Sequence, residues 1–66
     1  MTDTTHFRSV VGSGHTMTVE VVTYADTDVP TFVVYGDFSP TSEQVDQLVD
    51  ALQRGQAAYT AARTRI

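Results

Sequence analysis

Four short constellations hold the side chains that chemistry would need. His15 stands two residues from Ser13, and a carboxylate brought near them would complete a nucleophile, a base and an orienter. No nucleophile-elbow or oxyanion-hole context surrounds the pair, so catalysis is not expected there. Gly12-Ser13-Gly14-His15 has the glycines of a phosphate-cradling loop. Such loops lead from a strand into a helix, whereas here another strand follows, and the expected structure is a hairpin turn. Asp26-Thr27-Asp28 opens like a calcium loop, but Pro30 occupies the third ligand position and no glycine follows it. His6 and His15 are the only histidines and flank the first turn, where they could meet across it around a weakly held metal. Two histidines without cysteine are too few for a typical structural zinc site. No catalytic, cofactor-binding or metal-ligating residue is therefore assigned.

The elements that would carry these groups are three strands and a helix. Residues 1–5 read as a flexible tail, and residues 6–66 as a single domain. A first strand is expected over 6–11, broken by the glycines that follow. The second, 16–24, alternates Met17, Val19 and Val21 on one face with Thr16, Thr18 and Glu20 on the other. A third, 31–38, is rich in β-branched and aromatic residues; Pro30 is expected to end pairing before it. Short connections favour an antiparallel meander. Phe32, Val34 and Phe38 would share one face with Gly36, and Val33, Tyr35 and Asp37 the other.

After the strands comes one long amphipathic helix, expected over 40–64. Ser39-Pro40 fits an N-cap followed by proline, and Thr41-Ser42-Glu43-Gln44 fits a capping box one step later. Val45, Leu48, Val49 and Leu52 follow at helical spacing, and Tyr59, Ala62 and Ile66 continue the stripe. Gly55 interrupts it at a cost of about 1 kcal/mol relative to alanine, and the helix either bends or stops there. Glu43, Asp46 and Asp50 precede Arg54, Arg63 and Arg65, a charge order that the helix macrodipole favours. The fold class expected is α+β, βββα.

Size turns this arrangement towards association. The chain has 66 residues and no cysteine. A domain of that length buries only about 60% of its unfolded surface, and without disulfides or a metal the remaining remedy is a partner. A helix of 24 residues would span about 36 Å, against about 23 Å for a seven-residue strand. The segment from Tyr59 onward is therefore expected to overhang the sheet. Ala58 and Ala62 would let a second helix approach, with Tyr59 and Ile66 as anchors. Tyr24 and Tyr35, taken as a cross-strand pair on the sheet face away from the helix, complete the expected contact residues. The partner expected is the chain itself, as a homodimer or higher oligomer, with a host protein as a further possibility.

Charge narrows the partners. Eight acidic residues oppose four arginines, lysine is missing, and the net charge is −4. That balance disfavours a phosphate backbone, whose affinity comes from cations displacing counterions. Arginine without lysine or asparagine suggests GC-rich coding, as in an actinobacterium, its phage or a mobile element. The amino terminus is polar and shows no secretory signal, and no apolar run approaches bilayer length, so a cytoplasmic location is expected. The order strand–strand–strand–helix resembles the small DNA-binding modules of plant ethylene-response factors and phage integrase arm-binding domains. Their reading sheet is basic and aromatic; here the middle strand offers Glu20 and the first only Arg8, so that function does not carry over.

The functional expectation is a non-catalytic, acidic, self-associating interaction module. The alternatives are an acidic inhibitor or nucleic-acid mimic on a basic host protein, and a weak dimeric DNA-binding regulator using Arg54, Arg63 and Arg65.

Overall fold

The computed structural model describes residues 2–37 and 39–64. Three strands, β1 (Thr4–Val11), β2 (Met17–Thr23) and β3 (Pro30–Gly36), precede one helix, α1 (Ser42–Thr64). The strands form an antiparallel sheet in the order β1-β2-β3. This is the expected βββα meander. The first turn needs its glycines, since Gly12 and Gly14 take φ values of 102° and 79°. The second turn closes by hydrogen bonds from the Thr27 and Asp28 N–H groups to the Tyr24 carbonyl, with Asp28 left-handed at φ 58°.

Several boundaries differ from expectation by one or two residues, and two of them are instructive. β1 begins at Thr4 rather than His6, and Asp3 Oδ1 accepts a 2.8 Å hydrogen bond from the Ala25 N–H beside it. Pro30 does not end pairing but opens β3, opposite Thr23. The pairing geometry explains why proline is tolerated. The Asp37 N–H donates to the Thr16 carbonyl at 3.1 Å, and antiparallel bonding alternates along a strand. Residues 31, 33 and 35 therefore bond inward to β2, while 30, 32, 34 and 36 turn their backbone groups outward. Pro30 lacks its N–H at a position where β2 has no use for it.

The helix starts at the capping box, not at Ser39. Thr41 N–H donates to Gln44 Oε1 at 3.0 Å, and Gln44 N–H donates to Thr41 Oγ1 at 3.2 Å. Helix α1 then continues through Gly55 without interruption. Gly55 is buried, and a Cβ there would lie 3.0 Å from the Phe32 ring and 3.1 Å from Val19 Cγ1. The glycine is thus a point of close approach between helix and sheet, not a break.

That close approach decides which helix residues face inward. Leu48, Ala51, Gly55, Ala58 and Ala62 recur at alternating spacings of three and four, one seam of a helix. Ala51 and Ala62 are buried, and Leu48 and Ala58 are half-buried. Val45 and Val49, expected on the core face, are instead exposed at 42% and 47%. Small side chains bring the helix axis near the sheet, and the larger valines are turned to the flank.

The core is correspondingly slight. Val11, Val19 and Ala51 form it, with Phe7, Phe32, Leu48 and Leu52 packed around them. Among the described residues, the largest side chains that are fully buried are Val19 and Val21. The expected overhang from Tyr59 onward is not what the structure shows. Tyr59 meets Phe32 edge to face with ring centroids 6.1 Å apart, and Ala62 is only 6% exposed. The start of β1 lies beside this end of the helix, where His6 shares a hollow with Ala58, Ala61 and Ala62.

Candidate interaction surface

The helix covers one face of the sheet, and the other carries three cross-strand rows. Val10, Thr18 and Tyr35 form one, Arg8, Glu20 and Val33 the next, and Thr5, Val22 and Thr31 the last. The middle row is internally neutralised: Arg8 Nε lies 3.3 Å from Glu20 Oε2, and Tyr35 Oη donates to Glu20 Oε1 at 3.4 Å. Thr18 and Val22 are buried beneath their neighbours. This is the mixed, half-polar face that an antiparallel sheet can present to water.

The helix flank beside β3 is different in kind. Val45, Val49, Leu52, Gln56, Tyr59 and Arg63 follow one another at spacings of four and three, a second helical seam next to the buried one. Tyr59 contacts Phe32 of β3, which fixes the side on which this seam lies. Arg63 stacks over the Tyr59 ring, 5.6 Å from its centroid. Val34, two residues along β3 on the same face as Phe32, is 46% exposed. Val34, Val45 and Val49 therefore put apolar surface along one border of the molecule, with half-buried Leu52 behind them.

That border is also a sheet edge. By the alternation described above, β3 directs outward the N–H groups of Phe32, Val34 and Gly36 and the carbonyls of Pro30, Phe32 and Val34. From Thr31 to Gly36 it carries no charge, and its register is unbroken. The opposite edge, β1, is irregular. Its register shifts between Thr5 and Phe7, which leaves His6 as the extra residue of a bulge, bonded to Thr23 Oγ1 through Nε2 at 2.8 Å.

The six residues expected to make contacts are scattered. Tyr59, Ala58 and Ala62 pack within the chain, as described, and Ile66 lies outside the described residues. Tyr35 is exposed on the open face, opposite Thr18. Tyr24 is half-buried just past the far end of β2, so the two tyrosines do not form a cross-strand pair. Val45 and Val49 belong to a second spacing of four and three on the helix, beside the inward seam of small residues, and Val34 lies on β3.

The chemistry-bearing constellations resolve in two ways. Ser13, His15, Asp37, Ser39 and Gln44 do line one hollow of about 370 Å³ at the start of α1. Among the described residues, however, no hydrogen bond links His15 to Ser13 or Asp37, so no relay from acid to base to nucleophile is formed. His6 and His15 do not meet, since one lies beside Thr23 and the other beside Asp37, at opposite ends of the sheet. No group of three or more histidines and carboxylates able to hold a metal occurs among the described residues. Nor is any described helix long and apolar enough to cross a membrane. Comparison with protein-family models, curated proteins and solved structures finds no match to this chain.

Proposed function

We infer that this chain is a small, non-catalytic interaction module that works by associating with copies of itself. The observation that carries the reading is the row of exposed valines, Val34, Val45 and Val49, along one border of a domain in which, among the described residues, no fully buried side chain is larger than valine. A core this slight leaves a 66-residue chain close to the stability threshold. Covering apolar area on the flank would add stabilisation at roughly 25 cal/mol per Å² before the cost of association.

Paired substitution of the flank tests the reading. Val45→Asp together with Val49→Asp removes apolar surface without touching a buried side chain. Light scattering across a concentration series should show wild type at about twice its monomer mass. The variant should need about 100-fold more protein to associate, equivalent to about 2.8 kcal/mol. A wild-type chain that stays folded at 7.2 kDa throughout would overturn the proposal.

A further inference from the structure

We propose that the second copy docks on β3, edge to edge and antiparallel, so that two three-stranded sheets become one of six strands about a two-fold axis at Val34. This rests on the self-association reading and specifies its surface. Three observations favour it.

The first is the difference between the edges. Exposed edges are normally blunted by bulges, charge or proline. β1 has the His6 bulge and the charge of Arg8; β3 is blunted only at its first residue, Pro30, and from Thr31 to Gly36 has no bulge, charge or proline. Its outward N–H and carbonyl groups at Phe32 and Val34 are set for a strand.

The second is register. Outward-bonding residues must pair with outward-bonding residues, so even numbers face even numbers. Centring on Val34 pairs it with Val34 of the copy and sets each Phe32 opposite a Gly36. Centring one residue earlier would set Pro30 opposite Gly36 without losing a bond, but would place each exposed Val34 against a Phe32. The Val34 register also brings the two exposed valines side by side on the helix-bearing face.

The third is the apolar lining. A two-fold axis perpendicular to the sheet keeps both helices on one face and runs them antiparallel. Three strand spacings separate their axes by about 14 Å, more than the 8–10 Å of direct helix packing. Val34 from each edge lies beneath this channel, and Val45 and Val49 line its walls. Glu43, Asp50 and Arg54 stand on the β1 side of the helix, where Arg54 Nε pairs with Asp50 Oδ2 at 3.0 Å, so of the charged residues on α1 only Arg63 shares the channel flank with the valines.

The chain contains no cysteine, so a single introduced thiol reports on one position. Val34→Cys should form a disulfide-linked dimer under mild oxidation, since residues opposed in a bonded antiparallel pair have Cα atoms about 5.5 Å apart, within disulfide range. Val10→Cys, equally exposed but on β1, should remain monomeric on a non-reducing gel. Val34→Pro removes an outward donor that β2 does not use, and should lower dimer affinity at least tenfold while circular dichroism retains the sheet. Cross-linking at Val10 but not Val34, in a wild type that still dimerises, would overturn this docking and leave self-association standing. A monomeric wild type would remove both.

Discussion

The two edges of this sheet are built to opposite rules. β1 carries an extra residue at His6, a twist in its register and an arginine tied across to Glu20. β3 runs straight from Thr31 to Gly36, uncharged, with half of its backbone groups turned away from β2. A three-stranded sheet under one helix leaves two edges among the described residues. It can make an edge unattractive or give it a partner. β1 takes the first course, and the exposed valines stand beside β3, which beyond Pro30 does not.

The comparison breaks most severely at Gly36. Its φ of 134° is glycine territory, and a Cβ there would lie 2.8 Å from Met17 Cα and closer still to the Thr16 carbonyl. Gly36→Ala should lower stability by about 3 kcal/mol, from strain and overlap together, measured as the shift of the urea midpoint. Unchanged stability would mean that the end of β3 is not held as described. The smallest effect is expected on the other edge. Arg8 pairs with Glu20 near solvent, so Arg8→Ala should cost less than about 0.5 kcal/mol and leave the mass in solution unchanged. If larger species appeared instead, the charge rather than the bulge would be what keeps β1 solitary.

Much of this was legible in the sequence, and the reasons are local. Alternation in Met17, Val19 and Val21 set the inward face of β2, and the Thr41–Gln44 box fixed the start of the helix. What stayed hidden depended on distance between elements. Gly55 looked like a weak point because helix propensity judges it without the sheet. Placed 3.0 Å from the Phe32 ring by way of its missing Cβ, it becomes a contact. The same proximity turned alanines into the buried seam and sent Val45 and Val49 outward, reversing the usual rule that larger apolar residues lie inside. Pro30 reads as a strand breaker because sequence alone does not say which way its missing N–H points. The border formed by Val34, Val45 and Val49 joins residues from two elements, and no pattern within either one announces it.

Amide hydrogen exchange at the two edges tests the central claim most directly. At concentrations where the protein associates, the Phe32 and Val34 amides should be protected nearly as well as those of Val33 and Tyr35, which bond to β2. The outward amides of β1, Arg8 and Val10, should exchange freely. On dilution, protection at Phe32 and Val34 should fall while that at Val33 and Tyr35 persists. If Phe32 and Val34 exchange as fast as Arg8 and Val10 at every concentration, β3 has no strand beside it and the account is wrong.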